Sequence, residues 1–341
     1  MSGALPIPED RRAAARSRLH EALSTLGVYG LVLALFAAGC LLSGEFLTPK
    51  NLMNTLEAVT LLGIVSVGVA FITYSQHYVD LSIPGIMALS GIVAVSALRW
   101  GIAASLASGV AAGLAVGLVN GWVIGYLRLN PIIWTLAMMS VLSGVIRRAY
   151  AGRQVYPDAA TAAGAAFLEL YHTKVLGLIP LPVLVLVVLA LAGYVLLTKT
   201  GFGAQLKLTG SSYEVARMTG VNVRRTIAAA FVLSSAASAV AGLFLTSFNK
   251  VGAPYIGRGY DFASITAVVI GGMTLAGGRG NMAGVLGGVM VIALMNNVMG
   301  LVRVGDFSFS EFQKAIIQGA VFILVVGLNA WSRRKTGLDD A

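Results

Sequence analysis

Asp80 is the residue whose type and setting promise most chemistry. It stands in Gln76-His77-Tyr78-Val79-Asp80-Leu81-Ser82, followed by Pro84 and Gly85, within a long apolar stretch. A carboxylate in hydrocarbon is costly and is a functional candidate by default. Pro84 and Gly85 predict a broken helix, whose freed backbone must face protein or a cavity. Two readings stay open: Asp80 and Ser82 cap the helix that follows, or both line a solute pathway. Asn296 and Asn297, with Gln313 and Gln318, are further polar groups inside apolar runs. Hydrogen bonding between helices is the simpler reading for them, and pathway lining is the alternative. Tyr255, Tyr260 and Asp261 fall at the outer end of a run, where they either rim a mouth or form an interfacial belt.

Other chemistries lack their residues. The chain has no Gly-x-x-x-x-Gly-Lys-[Ser/Thr] phosphate loop and no Gly-Lys pair at all, so ATP hydrolysis by that route is not expected. His20, His77, His172 and the single Cys40 show no metal-ligand spacing. There is no Gly-x-Ser-x-Gly nucleophile elbow, no arginine-rich voltage-sensing helix and no Thr-Val-Gly-Tyr-Gly filter. We therefore expect no catalytic residue, no bound metal and no cofactor on this chain.

The elements that must position Asp80 follow from composition. Of 341 residues, 57% are apolar and only 11% charged, against about 25% charged in soluble domains. Mean hydropathy is +0.84. Such a chain folds in lipid. Crossing about 30 Å of hydrocarbon takes about 17–25 apolar residues in a helix. Ten runs qualify: 26–43, 54–75, 82–98, 102–126, 132–150, 176–198, 226–248, 261–277, 281–302 and 312–331. The fold class is all-α and polytopic, with about ten transmembrane helices. Residues 1–25 form a basic amino-terminal segment, 26–331 the transmembrane domain and 332–341 a tail. Gly109, Gly113, Gly117, Gly121 and Gly125 recur every fourth residue and predict one close-packing helix face, as do Gly280, Gly284 and Gly288.

The formal charge of +10 reads as cytoplasmic anchoring of a membrane protein rather than as nucleic-acid binding. Arg11, Arg12, Arg16 and Arg18 at one end and Arg333, Arg334 and Lys335 at the other place both termini in the cytoplasm. An even number of crossings follows, with 199–225 inside and 151–175 outside. Arg147, Arg148, Arg153 and Lys174 run against that bias.

Within 199–225, Ser211-Ser212-Tyr213-Glu214 fits a capping box, with Ser211 as N-cap and Glu214 three residues on. Val215, Ala216, Arg217 and Met218 follow, and Gly220 stands where a glycine would end the helix. The spacing predicts a helix of about two turns over 212–219. A helix so short must dock on something: a cytoplasmic partner that grips it, or the lipid headgroups.

Here the residues meet a family. Gly203 through Arg225 resembles the coupling loop of bacterial ABC sugar-importer permeases of the ribose, xylose and galactofuranose group. Asp80-Leu81-Ser82, Asn130-Pro131 with Thr135-Leu136, Ala267 through Gly272, Gly277-Gly-Arg-Gly280 and Asn296-Asn297 are similar too. The resemblance covers about 45–331. It departs where Tyr78 and Val79 stand in place of the family's usual glycines. It implies a permease subunit in the bacterial inner membrane that forms a pore with a second copy or a paralogue. A separate ABC ATPase, carrying the ATP, would grip 212–219. A periplasmic solute-binding protein would deliver a sugar or polyol. Arg279, in its Gly-rich turn, would contact that ATPase or merely anchor the turn. The alternatives are a secondary transporter and an amino-acid or nucleoside permease.

Overall fold

The computed structural model describes residues 9–77, 79–304 and 307–335, with side chains over 25–302 (Tyr78 apart) and 309–327. The ends of the basic amino-terminal segment and of the tail, and Tyr78, lie outside the described residues. Thirteen α-helices carry most of the described chain: α1 (Glu9–Leu42), α2 (Pro49–Tyr74), α3 (Ile83–Ser96), α4 (Ile102–Leu127), α5 (Pro131–Tyr150), α6 (Ala162–Glu169), α7 (Leu181–Lys199), α8 (Gly201–Ser211), α9 (Tyr213–Met218), α10 (Val223–Asn249), α11 (Tyr260–Ile270), α12 (Met282–Leu301) and α13 (Glu311–Lys335). The all-α, polytopic fold class is what the sequence predicts.

Every one of the ten apolar runs falls on a helix, but ten full crossings are not reached among the described residues. Seven helices are long and apolar enough to cross a membrane: Thr25–Leu42 within α1, and α2, α4, α5, α7, α10 and α12. With 14 and 11 residues, α3 and α11 span only about 21 and 16 Å at the helical rise. Pro84 opens α3 near its start, and Gly271 with Gly272 closes α11, Gly272 at φ 86°. The run 176–198 begins late, because Lys174–Val175 (β1) and Ile179–Pro180 (β2) first pair as an antiparallel hairpin turning through Gly177 at φ 72°.

The glycine stripe on α4 does close packing. A Cβ on Gly117 would lie 2.6 Å from the Ser235 side chain, and one on Gly121 2.6 Å from the Ala228 carbonyl oxygen. Gly109 meets Leu243 and Gly125 meets the Arg224 carbonyl, so α4 and α10 run antiparallel along their lengths. Gly284 and Gly288 likewise press backbone on backbone against Gly271 and Ala267, seating α12 antiparallel to α11.

The packing repeats with inversion. α2, α3, α4 and α5 are matched by α10, α11, α12 and α13. α10 packs on α4 and α3, as α2 packs on α12 and α11. His77 touches Phe231 while Gly68 meets Ala237, so α2 and α10, the central pair, are antiparallel. The two half-length helices approach with their starting ends: Gly257, just before α11, lies against Pro84 and Met87 at the start of α3.

Candidate functional site

Two groups of residues stand out, one at an end of the bundle and one in its interior. At the end, α8 and α9 form a corner. Thr200 caps α8 by accepting the Gly203 N–H at 3.3 Å. Leu206 is fully buried and holds α8 to the body. The N-cap of α9 is Ser212, whose hydroxyl accepts the Val215 N–H at 3.4 Å. This corrects the capping box expected on Ser211. α8 stays helical through Ser211, and Ser212 alone takes the extended cap conformation, at φ −162° and ψ 117°. Glu214 therefore sits one position too early to reach back to the cap. The stop is where the sequence placed it. Gly220, at φ 81°, donates to the Arg217 carbonyl, and the Val221 N–H reaches the Ala216 carbonyl, both at 3.1 Å. That pair of bonds satisfies the last carbonyls of α9.

α9 turns Ala216 inward, fully buried, and leaves Val215 and Met218 51% and 83% exposed. Glu214, Arg217 and Gly220 are exposed around them. Tyr213 leans inward under the Arg128 guanidinium, 4.8 Å from its ring centre. The Gly277–Gly280 turn is brought to the same corner. Gly278 donates to the Tyr74 carbonyl at the end of α2 at 2.9 Å. A Cβ on Gly277 would lie 2.8 Å from the Gly210 carbonyl oxygen, and one on Gly278 2.4 Å from the Ser211 hydroxyl. Both glycines have positive φ, so only glycine fits this contact without strain. Arg279, exposed, projects from the turn. Ser211, Glu214, Val215, Arg217, Met218, Gly220 and Arg279 thus share one surface, tied by backbone contact to α2 and α12.

The interior group surrounds Asp80, which is fully buried. Its Oδ1 accepts the Ser82 N–H at 2.8 Å and the Ser82 hydroxyl at 2.5 Å. That is an Asx-turn leading into α3 rather than a cap on the α3 N–H groups. The Ser82 Oγ accepts from Asn120 on α4 at 2.9 Å, and the Asn120 Oδ1 accepts the Trp134 indole N–H on α5 at 2.9 Å. The Thr135 hydroxyl accepts the Leu81 N–H at 3.0 Å. Asp80 Oδ2 has no hydrogen-bond partner. Asp261, on the first turn of α11, lies within electrostatic range of Asp80. Sequence reasoning missed Asn120 and Trp134. The signal was present, since Asn120 is a lone amide beside Gly117 and Gly121 on a stripe otherwise built for contact.

Asn296 and Asn297 are not brought to Asp80. Asn297 exchanges two amide hydrogen bonds with Asn51, at 2.7 and 3.1 Å, joining the end of α12 to the start of α2. Gln313 accepts the Ser310 N–H at 2.9 Å at the start of α13. Tyr255 is held by Gln154, which also pairs with Tyr156.

The arrangement combines half-length helices, close-packed glycine stripes and a protruding capped knob. The family model described as "Branched-chain amino acid transport system / permease component" matches residues 51–326. The chain belongs to this permease family. The L-arabinose ABC transporter permease protein of Azospirillum brasilense is 33% identical over 334 residues, which is 97% of this permease and 95% of that protein. The ribose import permease protein of Bacillus subtilis is 33% identical over 89% of this chain and 91% of its own. The xylose transport system permease protein of Escherichia coli K12 is 28% identical over 86% and 88%. As a permease with several membrane-crossing helices, the chain is a multi-pass membrane protein.

Proposed function

We propose that this permease is the transmembrane subunit of an ATP-driven importer that moves a neutral pentose, hexose or polyol across the bacterial inner membrane. The single observation that carries the coupling half of this reading is the α9 knob. Val215 and Met218 stand exposed on a helix whose start and stop are both fixed, on a corner keyed to α2 and α12. Exposed apolar residues on a rigid knob outside the spans need a groove to bury them. A cytoplasmic ABC ATPase supplies one and carries the ATP; this chain binds none. Motion of α9 then reaches the pathway through α8, the Gly277–Gly280 turn and the end of α2.

The solute class rests on relatives whose names specify arabinose, ribose and xylose. The family description names branched-chain amino acids instead, which makes an amino-acid permease the second reading. Asp80 and Ser82, with Asn296 and Asn297, are proposed pathway contributors, and Asp80, Ser82 and Asn297 act through the helices they hold. A solute-binding protein docks on the periplasmic side, and a second copy or paralogue completes the pore.

The test is uptake of labelled sugars together with co-purification of the ATPase, for wild type, Val215→Asp and Met218→Asp. Each charge enters a desolvated contact, so both variants should lose ATPase binding and uptake while still inserting. Full binding and uptake in both would refute docking through α9. Transport of a branched-chain amino acid but of no sugar or polyol would refute the solute class.

A further inference from the structure

A cavity of about 260 Å³ opens between α2 and the start of α7, at the end of the bundle opposite α9. Its walls mix apolar and ionisable groups: Met53 and Leu56 with Glu57 from α2, His172 and Lys174 from the hairpin segment, and Val183 from α7. Nothing in the transport reading uses it.

Glu57 is the anomaly. It is a partly buried carboxylate on a membrane helix, flanked by exposed Leu52, Met53 and Leu56. Among the described residues it has no ion-pair partner. His172 lies within electrostatic range of it, and Lys174 is exposed at the rim. The cavity therefore lines one space with an anionic acceptor and a cationic donor. Below it an apolar track begins. Val183 is followed on the same face of α7 by Val187, Leu191 and Val195, all three exposed, at intervals of four residues. Above it the hairpin tip presents Leu176 and Leu178, 89% and 81% exposed. Apolar tip, charged cavity and apolar track follow one another as interface, headgroup and acyl chain do in a lipid leaflet.

We propose that this crevice is a binding site for an amine-bearing zwitterionic phospholipid of the phosphatidylethanolamine class. The primary ammonium donates to Glu57, the phosphate meets Lys174 with His172 beside it, and an acyl chain lies along the α7 track. Glu57 sets the headgroup preference. A quaternary ammonium has no N–H to donate, and a glycerol headgroup brings no cation to a carboxylate in a low-dielectric wall. A neutral sugar uses none of these charges.

The experiment is native mass spectrometry of the purified full chain with equimolar dioleoyl phosphatidylethanolamine, phosphatidylcholine and phosphatidylglycerol. Wild type should retain the ethanolamine lipid over the other two by about ten-fold, the factor one charge-assisted hydrogen bond supplies. Glu57→Gln should bring the ethanolamine lipid down to the level of the choline lipid. Lys174→Gln, on an exposed side chain, should lower retention of all three lipids by several-fold, since each carries the phosphate. Glu45→Gln, exposed and outside the cavity, should leave the wild-type preference. Equal retention of all three lipids by wild type means annular contact only and overturns the proposal. So does an undiminished preference in Glu57→Gln. If that variant fails to fold, unchanged retention in Lys174→Gln overturns it instead.

Discussion

Asp80 acts on its surroundings through one oxygen. Oδ1 holds both polar hydrogens of Ser82, and Ser82 in turn holds Asn120 and, through it, Trp134. Three helices thereby share one buried chain of hydrogen bonds. A buried donor left without its acceptor costs about 1–3 kcal/mol. Asp80→Asn keeps an acceptor at Oδ1, whereas Asp80→Ala orphans the Ser82 N–H. Thermal unfolding of the purified protein should therefore place Asp80→Asn near wild type and Asp80→Ala lower by about 1–3 kcal/mol. Equal losses in the two variants would show that the charge, not the hydrogen bond, matters. Asp80 itself was legible from its apolar setting. Its partners were not, because Asn120 and Trp134 lie 40 and 54 positions on in the chain, and only the packed helices bring them together.

Short elements separate what local sequence encodes from what packing decides. The stop of α9 was readable, since Gly220 needs positive φ. The start lies one residue beyond the one the spacing predicts, because α8, opening at Gly201, takes Ser211 as its own last residue. Ser212→Ala should then cost about 0.5–2 kcal/mol of α9 stability while Ser211→Ala costs little. Hydrogen exchange of the amides at 213–218 distinguishes the two, and faster exchange in Ser211→Ala alone would restore the earlier cap. The glycine stripes give a second contrast. In Gly121→Val the new side chain meets the Ala228 backbone, whereas at Gly144 on α5 there is nothing within 4 Å. Gly121→Val should destabilise by about 1–3 kcal/mol or more, as overpacking does, and Gly144→Val should change thermal stability little. The period of four was enough to predict the stripe. It named no partner helix, and α10 emerged only from the fold.

At the scale of the whole molecule, the inverted packing of α2–α5 and α10–α13 was invisible in the sequence, because the two halves share element order and contacts rather than residues. It fixes which parts lie at opposite ends. α9 and the Gly277–Gly280 turn stand at the end where α2 finishes, and the 174–180 hairpin stands where α2 begins. The start of α12, at the α9 end, is bonded to Thr25 of α1 by Asn281 at 2.9 Å, so the basic first turns of α1 extend past that same end. Lys199, Lys207, Arg217, Arg224 and Arg225 gather there as well. Positive residues in short loops are retained in the cytoplasm, and this end carries two basic clusters that share no loop. Arg147, Arg148, Arg153 and Lys174 oppose them from the other end, but they flank a segment that folds on itself through α6 and the hairpin. We therefore expect the α9 end to face the cytoplasm. On a Cys40→Ser background, Leu178→Cys and Met218→Cys place single thiols at positions 81% and 83% exposed. A membrane-impermeant maleimide added to intact spheroplasts should label position 178 and should reach position 218 only after permeabilisation. The reverse pattern would invert the whole protein in the membrane. α9 would then face away from any cytoplasmic ATPase, and the coupling proposal would fall with the orientation.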